Sequence, residues 1–159
     1  MNTKSVDYYN VDSLLSEENK LVRDSVREWV KENVSPVIEK GNLDGYFPKE
    51  LIKKLAEIGG FGGILPEQYG GASIDFISYG LMMQEFERGD SSVRVLASIQ
   101  TSLVMNTIYK YGSESIKKKY LKKLSEGNII GSFGMSEPNH GSDPSSMNTI
   151  YEEYEEYFL

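Results

Sequence analysis

Cysteine is absent from the chain, which removes disulfides, thiolate metal sites and cysteine nucleophiles together and leaves a reducing compartment permitted. Histidine is almost as scarce: the single His140 cannot build a metal site alone. No apolar run approaches the roughly 20 residues of a membrane-spanning helix, so no membrane span is expected. Residues 1–15, MNTKSVDYYNVDSLL, have neither the basic start and apolar core of a secretory signal nor the arginine-rich character of an organelle presequence, and the expected compartment is the cytoplasm. A positive field is missing as well. With 17 basic against 24 acidic side chains the formal charge is −7, and no nucleic-acid partner is expected. Walker and Rossmann glycine spacings and a GxSxG serine motif are also lacking.

What is present suits one ordinary folded core: 159 residues, 39% of them hydrophobic and 26% charged. Ser16, Glu17 and Glu18 followed by Leu21, Val22, Val26, Trp29 and Val30 place acids in a first turn ahead of an apolar stripe, which predicts an amphipathic helix ending near Pro36. A second helix is expected from Pro48, with Leu51, Ile52, Leu55 and Ile58 on one face and Gly59 past its end. Residues 59–71 are too rich in glycine and proline for a regular element yet carry apolar anchors, and read as a packed loop. Phe76 to Glu87 is periodic again and closes at Gly89. After Asp90, Ser91 and Ser92, a stripe from Val93 through Leu96, Ala97, Gln100, Leu103, Val104 and Ile108 to Tyr111 predicts a long central helix stopped by Gly112. Ser113 can cap a fifth helix bearing Ile116, Tyr120, Leu121 and Leu124, with the lysines at 117–119, 122 and 123 forming a solvated face. The expectation is a bundle of about five helices over residues 14–126, antiparallel and dominated by local contacts.

Beyond Gly127 the character changes. Ile129 to Phe133 reads as a short strand, Met135 to Ser146 as a polar loop, and Thr149 to Leu159, which interleaves Tyr with paired Glu, as a strand with nothing left to pair with. A helical domain of residues 1–128 is therefore expected to precede the start of a β domain, residues 129–159.

Two segments could carry chemistry. Arg94 sits in the first turn of the central helix, where the helix dipole disfavours a cation. Either an exposed pair with Glu87 or Asp90 offsets that, or Arg94 and Ser98, one turn on, hold an anion. The second segment is Phe133, Gly134, Met135, Ser136, Glu137, Pro138, Asn139, His140, Gly141, Ser142, Asp143 and Pro144, whose glycines and hydroxyls could present N–H groups to a phosphate or a heteroaromatic ring. Ser142, His140 and Asp143 lie too close in sequence to be read as a hydrolytic triad.

The stretch FGMSEPNHGSDPSSMNT, Phe133 to Thr149, resembles the flavin-binding signature of acyl-CoA dehydrogenases, and its Phe-Gly start and Asp-Pro-Ser-Ser-Met end resemble the glutaryl-CoA branch. ERGDSSVRVLASIQTSLVMNTIYKYGSESIKKKYLKKLSEGNIIGSFG is similar to the same branch, and FPKELIKKLAEIGGFGGILPEQYGG to the superfamily's early inter-helix loop. The resemblance covers the chain from about Leu14. It implies a mainly α fold: the amino-terminal helical bundle of an acyl-CoA dehydrogenase followed by the first strands of a truncated middle β domain. It also implies α-proton abstraction by a glutamate and β-hydride transfer to FAD. By the same resemblance Phe133, Gly134, Met135, Ser136, Glu137, Pro138, Gly141 and Ser142 line the flavin, with Ser136 where threonine is more usual and Ser142 also near the acyl-CoA. Arg94 matches the arginine that receives the distal carboxylate of glutaryl-CoA, supported by Glu87 and Ser98, while Val95 replaces a serine common beside it.

The family's catalytic glutamate has no counterpart in this chain, since the match ends where an Asn-Gly hairpin turn of the β domain should begin. Glu137 belongs to the flavin loop rather than to the substrate's α-carbon. The chain is accordingly expected to be an amino-terminal fragment or one half of a split enzyme, colourless and silent alone. In full form it would oxidise glutaryl-CoA, with decarboxylation a further step open to it, as a homo-oligomer or with a complementary carboxy-terminal chain. The competing expectation is a non-catalytic helical module serving binding or assembly.

Overall fold

The computed structural model describes residues 8–155, so the first seven residues of the amino-terminal stretch and the last four of the strand expected after Thr149 lie outside the described residues. Helix α1 (Glu17–Asn33) opens on a capping box: Asn19 N–H donates to Ser16 Oγ at 3.1 Å, and Ser16 N–H donates back to Asn19 Oδ1 at 3.2 Å. Helix α1 ends just before Pro36, as expected, but Pro36 does not open a loop. It sits in the first turn of a further helix, α2 (Ser35–Asp44), where its missing N–H has no helical partner to lose, and Gly45 in the left-handed region at φ 72° ends α2. Helix α3 (Glu50–Glu57) follows just after Pro48 and buries Leu51 and Leu55.

The glycine-rich stretch after α3 is the packed loop expected, anchored by buried Phe61, Leu65 and Tyr69. Helix α4 (Phe76–Gly89) is capped by Asp75, whose Oδ1 accepts the N–H groups of Ile77 at 2.8 Å and Ser78 at 3.0 Å. The buried Asn19 amide ties this cap to that of α1, donating to Asp75 Oδ2 at 3.1 Å and Ser78 Oγ at 2.9 Å. Seven to ten residues further on, Arg27 meets Glu85 and Trp29 packs edge-on against Phe86 with ring centroids 5.7 Å apart. At the far end a Cβ on Gly89 would stand 2.6 Å from Val30 Cγ1, so glycine there lets α4 close onto α1. Helices α1 and α4 therefore run parallel, not antiparallel, and pair across 56 to 59 residues of chain.

The central rod is three segments in line: α5 (Ser91–Ser98), a π-helical stretch (Ile99–Met105) and α6 (Asn106–Tyr111). The sequence predicts one long helix, and the wider turns in its middle are the difference. Helix α7 (Glu114–Ser125) packs beside it, with its lysines at 118, 119, 122 and 123 facing solvent as expected. Lys117, expected on the same face, instead has a side chain only 17% exposed and lies over Tyr109 with its Nζ donating to Glu114 at 3.1 Å. Lys53 donates to the carbonyl of Glu126 at 3.1 Å, a cation placed at the negative end of α7. Beyond Gly127 the strand expected over residues 129–133 has no ladder partner among the described residues. Buried side-chain atoms of the rod take up its backbone groups instead, and a β-bridge further on joins Glu137 and His140.

Glu85 is 0% exposed, and its carboxylate is gripped by Arg27 (Nη2 to Oε1 2.9 Å, Nε to Oε2 3.0 Å) and by Arg88 (Nε to Oε2 3.0 Å). Arg27→Ala leaves that carboxylate with one arginine. Its expected cost is about 2 kcal/mol, below the ~3–5 kcal/mol of breaking a fully buried pair, because Arg88 remains and Arg27 itself is partly solvated. Urea denaturation checks the loss, with Lys31→Ala, whose pair with Glu28 is exposed, as the near-neutral control.

Candidate functional site

A mostly apolar groove of about 470 Å³ opens between the central rod and the segment that follows α7. One wall is the stripe Ser92, Val95, Leu96, Ile99 and Leu103, spaced three and four residues apart as one helical face requires; the other is Gly131, Ser132 and Phe133. Gln100 lines the groove between the two walls. Its amide nitrogen donates to the carbonyls of Leu124 and Ile129, both at 3.0 Å, and its Oε1 accepts the Gly131 N–H at 3.0 Å. A side chain at position 131 would collide with Val104, so only glycine lets this backbone lie on the rod.

Arg94 lies on the neighbouring face of α5, outside the groove's lining, with its side chain 37% exposed. Its Nε donates to Glu87 Oε2 at 2.6 Å, and the hydroxyl of Ser91 donates to Glu87 Oε1, also at 2.6 Å. Those two donors, Arg94 first, hold the Glu87 carboxyl below the ordinary carboxylate range. Glu87 thus fixes one edge of the guanidinium, and among the described residues the terminal nitrogens of Arg94 have no partner. Ser98 is not brought to Arg94 by any hydrogen bond: its hydroxyl donates back to the carbonyl of Val95 at 3.1 Å.

From Phe133 the chain turns outward. Glu137 and His140 exchange N–H···O bonds of 3.0 and 3.1 Å across Pro138 and Asn139, a tight turn. The Glu137 carboxylate then reaches forward, accepting the N–H groups of Asn148 at 2.9 Å and Thr149 at 2.8 Å and the Thr149 hydroxyl. These contacts, that with the Asn148 N–H first, draw its carboxyl below the ordinary range. His140 Nε2 faces the Asn148 amide nitrogen at 2.9 Å, and Asp143 accepts from Ser146, so Ser142, His140 and Asp143 do not converge. Among the described residues the N–H groups of Gly134, Met135, Ser136, Gly141 and Ser142, and both serine hydroxyls, find no acceptor or donor. Open space meets a Cβ built at Gly134 or Gly141. An exposed run of unengaged donors with room above it has the chemistry to receive a polar ring system or a pyrophosphate. No group of three or more metal-binding side chains occurs among the described residues, and no helix there is long and apolar enough to cross a membrane.

Residues 16–128 match the model of the acyl-CoA dehydrogenase N-terminal domain. The chain belongs to the acyl-CoA dehydrogenase family. It is 34% identical over 152 residues to a glutaryl-CoA dehydrogenase of Desulfococcus multivorans, covering 94% of this chain and 39% of that one. To a short-chain specific acyl-CoA dehydrogenase of Clostridium acetobutylicum it is 35% identical, over 88% of this chain and 37% of the relative. A crystal structure of glutaryl-CoA dehydrogenase from Mycobacterium smegmatis superposes with a TM-score of 0.88 at 38% identity, over 93% of this chain and 38% of that one. A second structure of a glutaryl-CoA dehydrogenase from that organism, in complex with FADH2, gives the same TM-score at 37% identity, over 92% of this chain and 38% of the other. The chain thus spans about two-fifths of the length of these acyl-CoA dehydrogenases.

Gln100, Leu96, Ile99, Leu103 and Ser132 are groove residues that sequence reasoning did not single out as a site. The signal for Gln100 was an amide lodged in the apolar stripe of the central helix. Glu137 supplies a pH test. Because its carboxyl is depressed in the folded loop, the clamp on Asn148 and Thr149 is intact above the ordinary carboxylate pKa and is lost as pH falls through the lower, folded value. In a His140→Gln background, which removes the imidazole beside Asn148, the amide resonances of Asn148 and Thr149 should therefore stay constant from about pH 7 to 5, above the ordinary glutamate range, and move only in more acid solution. In Glu137→Gln they should be displaced at every pH.

Proposed function

We propose that this chain is the amino-terminal part of an FAD-dependent acyl-CoA dehydrogenase whose complete form oxidises a glutaryl-CoA-like thioester. The observation that carries the reading is Arg94: Glu87 holds its Nε edge while its terminal nitrogens are left for an anion, one helical face away from an apolar groove. The acyl chain runs along Val95, Ile99 and Leu103 and its distal carboxylate meets Arg94, with Ser98 one turn on in reach after a rotamer change. Phe133, Gly134, Met135, Ser136, Glu137, Pro138, Gly141 and Ser142 form the flavin-side loop, their unengaged N–H and hydroxyl groups supplying the donors. Bound there, FAD supplies a two-electron acceptor for the hydride leaving the β-carbon. Glu137 is not assigned as the base, since its carboxylate is occupied by Asn148 and Thr149; the base is assigned to no residue of this chain. The helical unit is taken to end at residue 128 and the β unit to begin at 129, with a homo-oligomeric or complemented enzyme in the cytoplasm as the working form.

Fusing residues 1–159 to the remaining carboxy-terminal part of the Mycobacterium smegmatis glutaryl-CoA dehydrogenase tests this directly. The chimera is expected to retain FAD through gel filtration and to turn over glutaryl-CoA. Arg94→Gln should then lower kcat/KM for glutaryl-CoA several-fold or more while sparing butyryl-CoA, because only the dicarboxylic substrate loses a charge-assisted contact. Equal losses on both thioesters would remove the carboxylate role. A folded chimera without flavin would remove the wider reading.

A further inference from the structure

The groove's two walls come from parts of the chain about 30 residues apart, and one side chain joins them. Gln100 is 1% exposed, and its amide is engaged with three backbone groups: the carbonyl of Leu124 at the end of α7, the carbonyl of Ile129, and the N–H of Gly131. A buried primary amide is a two-headed connector, since its nitrogen only donates and its oxygen only accepts. Here the nitrogen serves two carbonyls and the oxygen one N–H, so the side chain fits one placement of residues 129–131 and no slipped one. The neighbouring surface reinforces that placement, because Gly131 lies so close to Val104 that no Cβ could be accommodated. Gln100 is also the second residue of the π-helical stretch, whose wider turn changes the direction in which its side chain leaves the rod.

We infer that Gln100 is the positioning residue of the groove: it sets the distance and register between the helical wall (Val95, Ile99, Leu103) and the extended wall (Gly131, Ser132, Phe133). The segment from Ile129 has no sheet partner among the described residues, so these side-chain bonds take the place of a ladder. Ser132 and Phe133 follow directly from the pinned residue, and their orientation is set by it. The acyl-CoA reading bears only on what the groove holds; the coupling stands apart from it, and its test needs no ligand.

Amide hydrogen exchange on the 159-residue chain reads the coupling. In the wild type, the Gly131 N–H is expected to exchange at least about tenfold more slowly than those of Ser132 and Phe133, which have no acceptor among the described residues. A Gly131 amide as fast as its two successors overturns the proposal without any variant. Gln100→Met keeps most of the side-chain volume and removes all three bonds. It should speed exchange at Gly131 by about tenfold and shift the Ser132 and Phe133 resonances, with α1 and α4 amides unchanged. An equal rise throughout α1 and α4 would mean that Gln100 stabilises the bundle as a whole, and the positioning role would fall. Gln100→Glu adds a readout that bulk stability would not produce. Its carboxylate, once ionised as the pH is raised, repels the carbonyls of Leu124 and Ile129, whereas the protonated acid donates again. The Ser132 and Phe133 signals of this variant should therefore return toward wild-type positions on acidification, along a titration curve absent from the wild type. Signals that do not titrate in Gln100→Glu count against the coupling.

Discussion

A buried carboxylate has to be met by cations from fixed directions, and Glu85 imposes that demand on the bundle. Arg27 on α1 and Arg88 one turn along α4 both reach it, so α1 can sit against α4 in only one register. Two parallel helices align their dipoles unfavourably. The structure offsets this at the positive ends, where the Asp75 carboxylate caps α4 while Asn19 carries the contact across to α1. Once that register is set, Gly89 lands on Val30 and the chain leaves α4 through Asp90. Asp90 then caps α5 through the Ser92 N–H at 2.8 Å and is itself held by Asn42 of α2 at 3.0 Å. The direction of the central rod, and with it the groove's helical wall, descends from one ion triad.

The rod in turn holds the irregular parts of the molecule. Gln100 and Thr101 are adjacent, buried and polar within the π-helical stretch, and they point to different loops. Thr101 Oγ1 accepts the Gly62 N–H at 2.9 Å and donates to the Gly60 carbonyl at 3.3 Å, which fixes the loop after α3, while Gln100 fixes the segment after α7. No buried side-chain polar atom in the described residues is left without a partner, so these hydroxyl and amide groups cost the core little desolvation. Regular helices thus supply stiffness, and two polar side chains transmit it to chain that has no secondary structure of its own.

Much of this was legible in the residues. Ser113 caps α7 and Gly112 stops α6 as expected, because those signals act within one turn, and of Asp90, Ser91 and Ser92 it is Asp90 that caps α5. Pro36 marks the end of α1 as expected, but proline also suits the first turn of a helix, and the helix it opens, α2, was not legible because it depends on the packing of Ile38 and Val34. The parallel pairing of α1 with α4 and the grip of Arg27 on Glu85 join residues 58 apart, which no periodicity reports. Arg94 with Glu87 was readable, since seven residues is two turns and the intervening break is short. The clamp of Glu137 on Asn148 and Thr149 was not, because loop composition signals turns without saying where a side chain reaches.

The pairing of α1 with α4 also has a consequence for birth on the ribosome. Arg27 is made 58 residues before the glutamate it must meet, and at about 5–20 residues per second that is a wait of roughly 3 to 12 seconds. A lone helix of 17 residues is marginal in water over such a time. Its capping box and its exposed pairs Glu17 with Lys20 and Glu28 with Lys31 are all local, so they can form before the partner emerges. The first helix made is thus supplied with contacts that do not depend on the last one it needs, and the part of its apolar stripe that packs on α4 stays uncovered by that helix until it arrives.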